Sequence, residues 1–177
     1  VTGSSNFKKT VGAYDLSFNG GSFLNFTFNG TQFLNGTDIY VSKFDATGSV
    51  LLGSTYLGGS DNDGVNHNNA IASYNYSWYG FCPSSISPGT LGTEYPPDSL
   101  AYNYGDQYRG EINLDKNGSV YITSSTRSAN FPIVGGFDNT LGGKQDAIVA
   151  KFNSSLTNLI WSSFLGGSGN DAGYSIL

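Results

Sequence analysis

The sequence predicts an all-β protein that is built from a repeated antiparallel unit. Residues 54–63 (STYLGGSDND) return as residues 162–171 (SSFLGGSGND), and similar segments precede them at 38–44 and 146–152. The Lys-Phe pairs and the Leu-Gly-Gly triplets are both 108 positions apart (152 − 44 and 165 − 57). Equal offsets without a gap indicate two copies of one structural unit.

Local patterns place strands and turns along both copies. Residues 38–45 and 146–152 alternate in a period of two, which is typical of strands, and no stretch of ten or more residues has a helical period. Asn-Gly and Gly-Gly pairs between residues 7 and 36 favour short hairpins. The remaining predicted elements are turns at 45–48, 115–118 and 153–155, returning strands at 50–57 and 159–165, and two strands within 109–123.

The composition limits the classes of partner. Charged residues make up 12% of the chain and aromatic residues 15%, so solubility rests on Ser, Thr, Asn and Gly, as in many extracellular β proteins. A net charge of −5 with 8 Lys and Arg argues against nucleic acid or an anionic membrane as a partner. No apolar run approaches the roughly 18 residues that a membrane-spanning helix needs.

One long segment interrupts the repeat. Residues 65–108 contain four prolines and nine aromatic residues, and the repeat pattern resumes at Arg109. We therefore expect three parts: repeat units in 1–64, an aromatic-rich insertion in 65–108, and further units in 109–177, the last of them incomplete. Residues 1–5 resemble 122–126 at the end of a predicted strand, so we expect a piece of a longer repeat array.

Several of these motifs resemble the bacterial β-propeller repeat known as the SBBP repeat. They are residues 146–152 (DAIVAKF), 161–176 (WSSFLGGSGNDAGYSI) and 117–123 (NGSVYIT), together with the Phe-Pro pair at 131–132. The match covers about residues 1–64 and 109–177. Residues 65–108 depart from the family's repeat pattern.

The resemblance implies a β-propeller, with blades of four-stranded antiparallel sheets that lean on their neighbours around a central channel. It also implies a large secreted or cell-surface bacterial protein, similar to exported proteins of gliding bacteria. Two to three units are too few for a closed ring, so the remaining blades would come from the same protein or from a partner chain.

Catalytic chemistry has weak support in the sequence, and we assign no catalytic residue. The one histidine, His67, has no nucleophile motif near it, and Cys82 is the one cysteine. Glycoside hydrolysis would need two acids across a cleft, for which Glu94, Asp98, Asp106 and Glu111 are the candidates.

A calcium site is the best of the metal-binding hypotheses. Asp61 and Asp63 precede a glycine with a spacing that could present oxygen ligands to Ca²⁺, and Asp171 lies at the equivalent position of the second copy. The alternative interpretation is a β-turn rich in Asp and Asn, because no distal glutamate completes the ligand set. We expect no required cofactor, with Ca²⁺ as a possible ligand of these residues.

The insertion is the most plausible interaction surface. Its Tyr and Trp side chains, interleaved with Ser, Asn and Gly, could stack on sugar rings or anchor a surface protein. An internal core that holds the loop together is the alternative. The candidate binding residues are Tyr74, Tyr76, Trp78, Tyr79, Tyr95, Tyr102 and Tyr104.

The function predicted from the sequence is therefore a non-enzymatic, extracellular or cell-surface binding and adhesion platform. A glycan-active enzyme on the same scaffold and a purely structural spacer or secretion cargo module remain as alternatives.

Overall fold

The computed structural model describes residues 1–26, 31–66 and 108–177, which form antiparallel β-sheets without an α-helix. The predicted all-β, antiparallel class is thus confirmed for these residues. No helix in them is long and apolar enough to cross a membrane. Their strands are β1 (Leu24–Phe26), β2 (Thr31–Phe33), β3 (Ile39–Phe44), β4 (Leu51–Leu57), β5 (Glu111–Leu114), β6 (Val120–Thr126), β7 (Asp146–Phe152) and β8 (Leu159–Leu165).

The largest sheet has four strands in sequence order, β5-β6-β7-β8. The predicted turn at 115–118 connects β5 to β6, where the Asp115 carboxylate accepts hydrogen bonds from the backbone of Asn117 (2.8 Å) and Ser119 (2.9 Å). Such local side-chain bonds favour turns over regular strands. The sheet is a simple meander, in which each strand pairs with the next one along the chain.

The two-stranded sheet β3-β4 repeats the geometry of β7-β8. Val41 pairs with Thr55, and 108 positions later Val149 pairs with Ser163. Both pairings become irregular at the Lys-Phe step, between Lys43 and Phe44 in one sheet and at 151–152 in the other. The sequence similarity between the two copies thus corresponds to the same backbone pairing.

The start of the chain aligns differently from the sequence-based expectation. Thr2 and Asp38 form an antiparallel bridge, as Thr126 and Asp146 do at the end of β6. Thr2 is therefore equivalent to Thr126 (126 − 2 = 124), and residues 1–5 match 125–129 instead of 122–126. Hydrogen bonds between distant residues set this alignment.

The first copy carries an additional hairpin, β1-β2. Asp15 and Asp138 are equivalent, because their carbonyls accept from Tyr56 N (3.1 Å) and Phe164 N (3.2 Å). Asp15 and Asp38 of the first copy are 23 positions apart (38 − 15), whereas the equivalent Asp138 and Asp146 are 8 apart (146 − 138). The hairpin accounts for the additional residues. The Asn-Gly and Gly-Gly pairs at 19–21 and 35–36, which we expected to form hairpin turns, instead lie at the base of this hairpin, where Gly21 N donates to Asn35 O (2.8 Å).

The main core lies between the β3-β4 sheet and the four-stranded sheet. Both sheets contribute buried apolar side chains to one cluster, so neither buries its inner face alone. The cluster consists of Ile39, Val41, Leu57, Val120, Ile122, Phe131, Ile148, Ala150, Phe152, Leu156, Leu159 and Phe164.

Leu156 closes this core from the turn between β7 and β8. It has a φ of 60°, which is unfavourable for leucine, and its side chain is fully buried. Its carbonyl accepts a hydrogen bond from Tyr14 N (3.0 Å), and a Cβ at Gly53 would lie 3.3 Å from Leu156 Cδ1. Apolar burial therefore holds this residue in a backbone conformation that it would otherwise avoid.

Leu156 gives a prediction about stability. Leu156→Ala should lower the free energy of unfolding by about 2–5 kcal/mol because it empties a packed core position. The Leu156→Gly variant should be at least as stable as Leu156→Ala, because glycine tolerates the positive φ of this position. At an ordinary φ, glycine would instead cost about 0.5–1 kcal/mol relative to alanine. Urea denaturation of the three proteins measures both differences. A glycine variant clearly less stable than the alanine variant would contradict the argument from φ.

Candidate functional site

Most of the predicted site residues lie outside the described residues. These are the binding candidates Tyr74, Tyr76, Trp78, Tyr79, Tyr95, Tyr102 and Tyr104, along with His67, Cys82, Glu94, Asp98 and Asp106. Asp61, Asp63, Asp171 and Glu111 are described, and they do not converge on one site. Asp61 and Asp63 lie in the turn after β4, which contacts the end of β6; we call this contact the junction. Asp171 lies in the equivalent turn of the second copy.

Asp63 is the centre of this junction. Its carboxyl group is fully buried and accepts hydrogen bonds from Gly59 N (2.8 Å) and from Ser128 Oγ (3.0 Å). The Thr126 hydroxyl donates a third bond to the same carboxyl group. Asp63 follows β4, whereas Thr126 ends β6, so a single side chain joins the two packed sheets.

Backbone contacts extend the junction on both sides of Asp63. Gly64 N donates to Ser125 O (2.8 Å), and Arg127 N donates to Asn62 O (3.0 Å). Asp61 N donates to Ser128 Oγ (2.9 Å). The turn after β4 and the segment after β6 therefore bind each other through main chain and side chains together.

Asp38 places a second buried carboxyl group close by. It accepts from Asn19 N (2.7 Å) and Gly20 N (2.9 Å), which precede the β1-β2 hairpin. A Cβ at Gly58 would lie 2.7 Å from Asp63 Oδ2 and 2.9 Å from Asp38 Oδ1. Both carboxyl groups thus approach the backbone at position 58, and only glycine leaves room for them.

Burial dominates the electrostatics of these two groups. Desolvation raises the pKa of Asp63 to about 8, even though its hydrogen bonds to Thr126, Gly59 and Ser128 favour the charged form. Desolvation also raises the pKa of Asp38 to about 6, against its bonds from the backbone. The junction therefore favours a protonated Asp63 at neutral pH.

The second copy repeats the hydrogen bonds that nearby glycine backbones donate to the aspartates. Asp146 accepts from Gly142 N (2.8 Å) and Gly143 N (3.2 Å), and Asp171 accepts from Gly167 N (2.8 Å). A Cβ at Gly166 would approach both carboxyl groups, as one at Gly58 would. No hydroxyl group in residues 1–26, 31–66 or 108–177 donates to Asp171. Within these residues, the hydroxyl bonds from another sheet are therefore made to Asp63 and not to Asp171.

The calcium hypothesis stays a prediction. No group of three or more His, Cys, Asp or Glu side chains in the described part of the chain is arranged to hold a metal ion. Asp61 Oδ1 accepts from Asn62 N (2.8 Å), while Asp63 and Asp171 accept from glycine backbones four residues earlier. These contacts match the geometry of the alternative, a turn rich in Asp and Asn.

Glu111 is the one described member of the four candidate acids. It lies on β5, is exposed, and accepts from Ile176 N (2.7 Å). Hydrogen bonds from Ser175 and then Ile176 lower its pKa below the usual range. A glutamate held ionised at the surface suits a structural role better than that of a general acid.

Both ends of the insertion are tied to the packed units. Val65 is fully buried and packs with Leu24, Phe33 and Tyr108. Asn66 donates to Tyr174 Oη (2.7 Å) and accepts from Gln145 Nε2 (2.8 Å). The segment 67–107 therefore leaves and re-enters the described structure next to the β1-β2 hairpin.

Sequence reasoning did not identify the hydroxyl partners of Asp63. Thr126 and Ser128 lie in a polar segment that carries no known motif. A signal for them exists, because Thr126-x-Ser128-x-Asn130 is also present as Thr2-x-Ser4-x-Asn6. In both places the backbone N of the serine donates to the threonine hydroxyl at a distance of 3.0 Å.

Comparisons with known proteins give no further assignment. No family model, no curated protein and no solved structure matches this chain.

The raised pKa of Asp63 predicts a pH-dependent stability. A folded-state pKa above the unfolded value means that the folded protein retains a proton which the unfolded chain releases, so stability falls as pH rises. Between about pH 5 and 7 the loss approaches about 1.4 kcal/mol per pH unit for one retained proton. Asp63→Asn should reduce this slope, measured by denaturation at several pH values.

Asp115→Asn is the matched control for that experiment. The Asp115 side chain is half-buried, and against the effect of desolvation the hydrogen bonds from Ser119 and Asn117 lower the pKa of its carboxyl group, so its titration falls below this pH window. Burial lowers the pKa of the Val1 amine, so this group makes stability rise with pH. Its effect is the same in every variant and cancels when the slopes of stability against pH are compared. Equal slopes for the wild type and Asp63→Asn would refute the assignment.

Equivalent glycines at 59 and 167 test the junction itself. A Cβ at Gly59 would lie 2.5 Å from Ser128 Cβ, whereas one at Gly167 would meet nothing within 4 Å. Gly59→Ala should therefore destabilise the protein by about 1–3 kcal/mol. Gly167→Ala should change stability by less than about 0.5 kcal/mol. Thermal unfolding of both variants measures the contrast, and similar losses in the two would count against this view of the junction.

Proposed function

We propose that the chain is a segment of a β-propeller that serves as a non-enzymatic, extracellular binding or adhesion platform. Its parent would be a large secreted or surface-anchored bacterial protein. The support begins with the four-stranded meander β5-β6-β7-β8, which has the strand order of a propeller blade. A second sheet with equivalent pairing packs against it, as a neighbouring blade would.

The observation that carries this proposal is the junction at Asp63. Its carboxyl group is buried and takes one hydrogen bond from the turn after β4, one from the last residue of β6 and one from the segment after β6. A group enclosed in this way joins structural units and is not accessible to a substrate. The same pattern of glycine and aspartate in the second copy suits a module that is repeated along a chain.

The insertion supplies the ligand-binding part of the proposal. Val65 and Asn66 anchor its start, and Tyr108 anchors its end, so the segment between them is carried by a packed scaffold. Binding residues on segments held by a rigid scaffold are common in extracellular recognition. The Tyr and Trp residues of 67–107 suit a glycan or a surface protein, because aromatic rings give large contact area at a low entropic cost.

A double variant tests the platform hypothesis. Trp78→Ala with Tyr79→Ala should leave the melting temperature nearly unchanged and weaken binding by about tenfold or more, as the loss of central aromatic contacts does. Binding is measured on a glycan array and on immobilised bacterial cell-surface fractions.

Phe137→Ala is the control, because it removes an exposed aromatic side chain outside the insertion. It should leave binding unchanged. If the double variant binds as the wild type does, the insertion is not the contact surface. A large loss of stability in the double variant would instead favour an internal core in the insertion and a spacer function.

A further inference from the structure

The two copies use opposite sheet faces in the core that they share. β3 contributes Ile39 and Val41 to this core, whereas the equivalent strand β7 contributes Ile148, Ala150 and Phe152. Since successive side chains of a strand point to opposite faces, each copy has a second face that points away from the core. We call these the outward faces. The outward face of the first copy is equivalent to the inner face of the second, and the reverse also holds.

Aromatic side chains that meet in the shared core have exposed equivalents on the outward faces. Phe152 is fully buried, but Phe44, 108 positions earlier, is 55% exposed. Tyr14 packs on Phe152 with ring centroids 5.5 Å apart. Its equivalent Phe137, which likewise precedes the aspartate after a Val-Gly pair, is 68% exposed. Phe44 and Phe137 therefore lie on different outward faces, and each would fit the other as Phe152 fits Tyr14.

Side-chain sizes are exchanged between the internal contact and the outward faces. In the internal contact, a Cβ at Gly53 would lie 3.3 Å from Leu156 Cδ1, so the leucine needs a small residue opposite it. Trp161 occupies the position of Gly53 in the second copy (161 − 53 = 108), and Gly48 occupies the position of Leu156 in the first (156 − 48 = 108). A Cβ at Gly48 would meet nothing within 4 Å. The outward faces thus carry the same pair of one large and one small residue, in reversed order.

The hydrogen-bonding groups of the junction are also divided between the two outward faces. Asp171 is the equivalent of Asp63 and has no hydroxyl donor among the described residues. Thr2 and Ser4 are the equivalents of the two hydroxyl donors to Asp63, and Ser4 Oγ donates to Asn6 Oδ1 (2.6 Å) of its own segment instead of to an aspartate. One outward face therefore carries the carboxylate acceptor, and the other carries the hydroxyl donors.

We propose that a second molecule of this chain docks head to tail, with the outward face of its first copy on the outward face of the second copy. Trp161 would lie over Gly48 of the second molecule, and Asp171 would accept hydrogen bonds from its Thr2 and Ser4. The two exposed phenylalanines would bury each other. Because such a contact uses different surfaces on the two molecules, it repeats to give a ring or a filament. The proposal does not depend on the ligand proposed for the insertion.

Sedimentation velocity of the full chain at rising concentration tests the association. The mass of the wild type should increase, and Phe44→Lys or Phe137→Lys should each weaken association by about tenfold or more, because a central aromatic contact is replaced by a charge. Both residues are more than half exposed, so the melting temperature of the dilute protein should change little. Val11→Lys is the matched control, since Val11 is fully exposed and the adjacent Gly12 lies beside Thr157 of the internal contact. A wild type that stays monomeric, as expected if the neighbouring unit belongs to a longer protein, would overturn the proposal.

A mixture of the two lysine variants tests the head-to-tail geometry. Phe44→Lys leaves the outward face of the second copy intact, and Phe137→Lys leaves that of the first copy intact. One molecule of each variant can therefore form a single intact contact. At a concentration at which each variant alone is monomeric, the mixture should give a 1:1 heterodimer and nothing larger. A mixture that stays monomeric, or variants that assemble alone as the wild type does, would refute the contact.

Discussion

The buried carboxyl group of Asp63 is the constraint on which the packing of the two sheets depends. A carboxyl group that leaves water without hydrogen bonds costs several kcal/mol, so its donors must be present when the core closes. One donor, Gly59 N, is local, but the hydroxyl groups of Thr126 and Ser128 come from the end of another sheet. The first sheet can therefore bury Asp63 only when the second sheet is in place, which couples the folding of the two.

This constraint also explains the Leu-Gly-Gly triplet that marks both copies. At position 58 a side chain would collide with Asp63 and Asp38, and at position 59 it would collide with Ser128. Neither glycine has a positive φ, so the requirement is for space and not for backbone freedom. Within the described residues, the triplet permits close packing of units, and its strong repetition in the sequence needs no ligand to account for it.

Strands and turns could be predicted because their signals are local. Alternation over 146–152 and the Asp115 turn were sufficient, and both elements are present as expected. The partners of Asp63 could not be predicted, since Thr126 is 63 residues away and threonine in a polar segment fits many roles. The alignment of residues 1–5 was wrong by three positions for a related reason: long-range pairing decides register, and the local sequence does not. The binding residues of the insertion lie outside the described residues and stay a prediction.

The additional hairpin of the first copy shows how this scaffold tolerates variation. Its base lies against the junction, where Asn62 Nδ2 donates to Ser22 O (3.1 Å), while Leu24 packs on Val65 at the start of the insertion. The β1-β2 hairpin thus helps to bury Val65 through Leu24 and Phe33. The same side of the junction therefore carries both added segments, and neither interrupts the hydrogen bonds of Asp63. A joint that depends on a few glycines, hydroxyl groups and carboxyl groups leaves the loops around it free to diverge, and loops of that kind are where a repeated scaffold can acquire a binding surface.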